Sequence, residues 1–121
     1  MMEYAIGADR EFLRVLVQGR DTDVPPSALC AQVFAESERL ERPRILIELD
    51  QKFPLSLRSQ QQLIDELPRI GFTPHHSIAM VHRTPVAQLA NQYIDMIAAT
   101  HNLAVRNFRD VEQAKDWLRT R

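Results

Sequence analysis

The chain reads as an α/β protein built on a mostly parallel sheet. Three observations point there: two β-rich runs open the chain, two nearly continuous apolar runs at 44–50 and 77–83 suit strands covered on both faces, and helix-period stretches alternate with them. A length of 121 residues, 45% of them apolar and with no polar tract, matches one domain with a real core, expected to span 1–121. Because crossovers between parallel strands are right-handed, the expected architecture is a sheet of five strands, mostly parallel with an antiparallel N-terminal hairpin, packed by four helices.

The first strand is expected over 3–7 and the second over 12–19 ("FLRVLVQG"), with the polar tetrapeptide "ADRE" between them long enough for a hairpin turn. Pro25 and Pro26 then suit the first turn of a helix, where amide protons have no helical partner, and this helix runs to about 41. Leu29, Cys30, Val33, Phe34, Ser37 and Leu40 fall on one face of it at the helical period. "RILIELD" is the central strand.

A second helix follows from 56 to about 70, with Leu63, Ile64, Leu67 and Ile70 on one face; Pro68 is expected to disturb its last turn, and Gly71 suits its C-terminal cap. "SIAMVHR" is another buried strand. Thr84 before Pro85 starts a third helix, because the threonine oxygen can cap free amides and proline fits the first helical position. That helix is expected over 85–102, with Val86, Leu89, Ala90, Tyr93, Ile94 and Ile97 inward, and Asn102 able to end it in the left-handed conformation. "LAVRNFR" makes a fifth, shorter strand. Asp110 with Gln113 forms a capping-box pattern ahead of a last helix whose apolar edge is Val111, Ala114, Trp117 and Leu118.

Composition excludes several function classes. A net charge of −1 with 26% charged residues provides no overall basic field, so no nucleic-acid partner is expected. No apolar run approaches the roughly 20 residues of a membrane helix, so no integral membrane segment is expected either. A lone cysteine and an N-terminus without a charged start and apolar run place the protein in a reducing cytoplasm. With glycine only at 7, 19 and 71, neither a dinucleotide loop nor a phosphate-cradling P-loop can form, and no cofactor is expected. No serine has the glycine-flanked elbow of a serine hydrolase.

The remaining reactive side chains have plain explanations. His75 and His76 are adjacent, so their side chains diverge, and no third ligand stands at a metal-binding spacing; no metal site is expected. His101 sits late in the third helix, where a cation is favoured without any function. Cys30 lies on an apolar helix face without a basic neighbour, as an inert thiol would. Arg106, Arg109, Arg119 and Arg121 are interleaved with Asp110, Glu112 and Asp116, which makes a mixed, solvated surface.

The element order and the C-terminal stretch "RNFRDVEQAKDWL" resemble the STAS-like fold of anti-sigma-factor antagonists, most closely the bacterial SpoIIAA-like group related to STAS and Sec14-type lipid-binding domains. The matching positions are Phe108, Asp110, Ala114, Trp117 and Leu118: a strand ending in an aromatic residue, an acidic cap, and an alanine with a Trp-Leu pair that docks the last helix. The resemblance covers nearly the whole chain and implies a non-enzymatic regulatory or protein-binding module. In that family the helix after the central strand opens with an Asp-Ser-Ser/Thr-Gly type motif whose hydroxyl is phosphorylated by a partner kinase. Here Ser56 stands about where the aspartate would cap, Leu57 and Arg58 occupy the phosphoacceptor region, and no glycine follows.

In an α/β sheet the ligand end is the carboxyl edge of the strands. The candidate binding residues there are Lys52, Phe53, Ser56, Arg58, Ser59, His82 and Arg83, with Asp50 and Thr84 beside them. Ser56 and Thr84 as helix caps, with Lys52 and Arg83 solvated, account for the same residues without function. Phe53 and Leu55 are apolar residues in a loop, either a staple over the second helix or a lip for a partner or acyl chain. Three roles follow: a module binding a protein partner through 51–59 and the exposed face of the second helix; a small apolar-ligand or lipid carrier; and an enzyme pairing His82 with Ser56 or Asp50. The first two are compatible with a homodimer, since an edge strand or apolar helix face is self-complementary.

Overall fold

The computed structural model describes residues 3–19, 26–51, 57–82 and 102–121. These form five strands, β1 (Glu3–Ala8), β2 (Leu13–Gly19), β3 (Arg44–Gln51), β4 (Ser77–His82) and β5 (Ala104–Phe108), and three helices, α1 (Pro26–Leu40), α2 (Leu57–Ile70) and α3 (Val111–Arg119). The helix expected over 85–102 lies outside the described residues, although Asn102 does adopt the left-handed φ of 56° foreseen for its end. Among the described residues no helix is long and apolar enough to cross a membrane.

The strands lie side by side in chain order, β1-β2-β3-β4-β5, with β1 and β2 antiparallel and every other pair parallel. The hairpin exists because Asp9 closes it. Its Oδ1 accepts from the amides of Glu11 at 2.8 Å and Phe12 at 2.7 Å, while its own amide donates to Phe12 O at 3.0 Å. Partial burial pushes the Asp9 carboxyl upward, but those two amides and the Arg14 charge together hold it below the usual carboxylate range.

Alternation along the strands sorts side chains onto two faces. On one face Val15, Val17, Ile45, Leu49, Ile78 and Met80 pack under α1 and α2, which supply Val33, Ile64 and Leu67. On the other, Phe12, Leu46, Ala79 and Val81 meet Ala114 and Leu118 of α3. The central strands are therefore covered on both sides, as their unbroken apolar runs require, and all six residues of β4 are buried. Each fully buried leucine or isoleucine here contributes about 1.5–3 kcal/mol of transfer free energy.

The helix ends follow from local chemistry. At the end of α1, Glu41 takes a left-handed φ of 54°, letting Arg42 N reach back to Ser37 O at 2.9 Å, while Ser37 Oγ donates to Arg42 O at 2.7 Å. Ser37 is thus buried because it is bonded, not because it is apolar. Pro68 does not end α2. It removes one amide donor from an exposed turn, and the helix continues to Ile70, where Gly71 N and Phe72 N both close onto Leu67 O. At α3, extended Asp110 caps by accepting from Glu112 N at 3.1 Å, the amide one residue before the expected partner Gln113.

Gly7 has open space around it, whereas Gly71 is closely packed. Its φ is +133°, and a Cβ built there would lie 2.6 Å from Phe34 Cζ, in a ring cluster where Phe34 and Phe72 meet edge to face with centroids 5.2 Å apart. Gly71→Ala should therefore cost about 2–4 kcal/mol, from backbone strain plus displacement of a packed ring. Urea denaturation gives the value, and a loss below about 1 kcal/mol would show that the ring yields freely.

Candidate functional site

The carboxyl edge of the parallel strands is where the sequence puts its candidates. Gln51 ends β3, Leu57 opens α2, and His82 ends β4, so three described chain ends meet that edge. Lys52, Phe53, Ser56 and Arg83 lie outside the described residues, as does Thr84; Arg58 and Ser59 stand in the first turn of α2.

His82 is the best-defined member. It is 1% exposed, pairs in register with Leu49, and faces the α1 and α2 side of the sheet with Met80. Its Nε2 lies 2.5 Å from Asn107 Oδ1 on β5. An amide oxygen can only accept, so Nε2 carries the proton, and the neutral ring keeps an unprotonated Nδ1. Burial lowers the imidazole's pKa, and the bond to Asn107 opposes this without reversing it. A neutral histidine tying β4 to β5 is the result.

Asp50 is not its partner. Leu49 and His82 are paired across β3 and β4, so Asp50, one residue further on, belongs to the opposite face with Leu46 and Glu48. The base-assisted pair His82–Asp50 is therefore not formed. The other half of that idea, Ser56, lies outside the described residues.

The two adjacent histidines do not point apart: their rings meet edge to face with centroids 6.0 Å apart. His75 is exposed, whereas His76 is 6% exposed, with Nε2 3.0 Å from Glu38 Oε1 and Nδ1 accepting from Thr73 N at 3.2 Å. Phe34 and Phe72 flank its ring with centroids 5.5 and 5.2 Å away, so it is a bonded core residue. Among the described residues no group of three or more His, Cys, Asp and Glu side chains comes together.

Cys30 keeps some surface, yet burial pushes its thiol up to about 12. Three of the four C-terminal arginines are engaged, Arg119 with Glu11 at 2.9 Å and Asp116 at 3.2 Å, Arg106 over Phe108, and Arg121 over Trp117, while Arg109 is exposed. They form the mixed surface expected of them.

Sequence reading did not single out Asn107. A signal was present, because Asn107 shares a face with buried Val105 in a strand, and a polar residue at an inward position needs a partner. Which partner depends on sheet register, and register is not written in one strand.

Burial keeps His82 neutral in the folded protein, so the unfolded chain takes up the proton first as pH falls. Stability is complete above about pH 6.5 and declines below it, by up to about 1.4 kcal/mol per pH unit, until the folded imidazole also protonates. Urea denaturation at about pH 7.5 and 5.5 should show a smaller acid loss in His82→Gln than in the parent; equal losses would exonerate His82. Ellman's reagent at about pH 8 should label Cys30 only after denaturation, and fast labelling of native protein would contradict the enclosed thiol. Comparison of the chain with protein-family models, with curated proteins and with solved structures finds no match among any of them.

Proposed function

We propose that the chain is a non-enzymatic binding module of the STAS-like type, which docks a protein partner through the stretch 51–59 and the exposed face of α2. The observation that carries this reading is the two-sided character of α2. Ile64 and Leu67 are buried against the sheet, while Gln61, Gln62, Asp65, Pro68 and Arg69 are exposed, and the helix starts at the carboxyl edge beside the end of β3. A helix anchored by one face and polar on the other presents a rigid surface at little entropic cost.

The class of the fold supports the reading at a coarser level. An α/β sheet with an antiparallel first strand and parallel successors agrees with the architecture that the "RNFRDVEQAKDWL" resemblance implies. The absence of the phosphoacceptor tetrapeptide favours constitutive docking over a kinase-controlled switch. The apolar "FPL" stretch beside basic Lys52 and Arg58 suits a partner with an acidic rim around an apolar anchor.

Affinity capture from host lysate, with parent protein and a Phe53→Asp/Arg58→Glu variant of unchanged circular dichroism, tests the proposal. Specific partners should be lost from the variant, at least tenfold by quantitative mass spectrometry, since truncated anchors typically cost about 2 kcal/mol or more. Retention of every partner would refute it. A small apolar molecule released in a native mass spectrum would instead favour the carrier role.

A further inference from the structure

The described residues form a half-open concavity at the amino edge of the parallel strands, opposite the carboxyl-edge residues. It has a volume of about 380 Å3 and is lined by Arg10, Arg42, Arg44, Arg121, His75 and Ser77, with Glu11 and Glu41 on its wall. Four arginines line one cavity of a chain whose net charge is −1, Arg121 with its guanidinium over Trp117, so composition alone does not put them there.

Their charges are only partly cancelled in place. Glu11 is already taken: the hydrogen bond from Arg119 chiefly, together with that residue's charge, holds its carboxyl below the usual range. Glu41 is then the one carboxylate on the wall without an ion-pair partner among the described residues. Arg42 is fixed by carbonyls, donating from Nε to Asp9 O at 3.1 Å and from Nη1 to Leu40 O at 3.0 Å and Glu41 O at 3.3 Å. Those bonds hold its guanidinium without neutralising it. Arg44 Nη2 donates to the main-chain oxygen of Arg121 at 2.6 Å, and Arg10 has neither a hydrogen bond nor an ion pair among the described residues.

A second open groove, on the sheet face over β1 to β3, makes the contrast. Its one arginine, Arg14, lies 2.6 Å from Glu48 and 3.8 Å from Asp9, so the charges there close on themselves. At the amino edge they do not, and like charges crowded in a concavity raise the local potential for a counter-ion. Guanidiniums present forked donors that match phosphate and carboxylate oxygens, and no aromatic side chain of Phe, Tyr or Trp lines the cavity to stack a base.

We propose that this cavity binds a small oxyanion carrying two or more negative charges, with the unpartnered Arg10 as its clamp, Arg44 beside it and Arg42 as its fixed positive wall. Inorganic pyrophosphate and citrate separate the phosphate source from the carboxylate source of that chemistry. Calorimetric titration of the full chain with each, in about 150 mM sodium chloride, should give saturable binding to one of them with a dissociation constant below about 1 mM. Arg10→Glu should weaken it at least tenfold, Arg44→Gln should weaken it less, and Glu41→Gln should tighten it. No saturable heat with either anion up to about 10 mM, or affinity unchanged in Arg10→Glu, would overturn the assignment. Arg10 holds nothing else in place, so its variant tests binding and not folding, as a circular dichroism spectrum and an unchanged urea midpoint verify. The carboxyl-edge docking face stands or falls separately.

Discussion

The structure depends on β3 and β4 being buried on both faces. Ile45, Leu49, Ile78 and Met80 require α1 and α2 above them, and Leu46, Ala79 and Val81 require α3 below. Removing either layer would leave strand surface that water penalises by about 25 cal/mol for each Å2 of apolar area. The requirement explains why each described helix carries a single apolar stripe, and why α3 needs only nine residues: Ala114 lets it approach closely and Leu118 fills the space it finds. It also leaves β1 and the neighbouring part of β2 open on the α3 side, which is where the groove around Arg14 and Glu48 lies.

Burial of the sheet centre pushes polar chemistry to its two edges. At the carboxyl edge a buried imidazole is tied to Asn107, and the polar side of α2 faces outward. At the amino edge Arg42 satisfies carbonyls at the C-terminal end of α1, where a cation is favoured by the helix dipole, and it meets three other arginines around a cavity. Arg42 shows how one residue serves both needs: its bonds to three carbonyls fix the loop, and its charge remains available to the cavity.

Most of the architecture was legible in the chain because it rests on local signals. The apolar runs located β3 and β4, the turn chemistry of "ADRE" located the hairpin, and Gly71 and Asp110 marked helix ends by their backbone or capping preferences. Pro68 lies inside α2, and the helix ends at Ile70 with Gly71 behind it, as expected. The sites were less legible. Pairing His82 with Asp50 failed on sheet parity, and Asn107 was passed over because its partner comes from another strand. The arginine-lined cavity draws on residues from 10 to 121, and no window of sequence contains both.

The sheet's order has a consequence for how the chain assembles. Because each strand lies next to its predecessor, a chain emerging from its N-terminus always finds the neighbour it needs already made, and no strand must be threaded between two others. The opposite face behaves differently. Among the described residues, Phe12 beside the first hairpin is covered when the last helix arrives, and the bond between Glu11 and Arg119 closes a span of 108 residues. Until that closure an apolar strip of Phe12, Leu46, Ala79 and Val81 stays wet. Growth from one end and sealing from the other divide the labour of folding: the first half fixes the shape, and the final turns of α3 decide whether it is sticky.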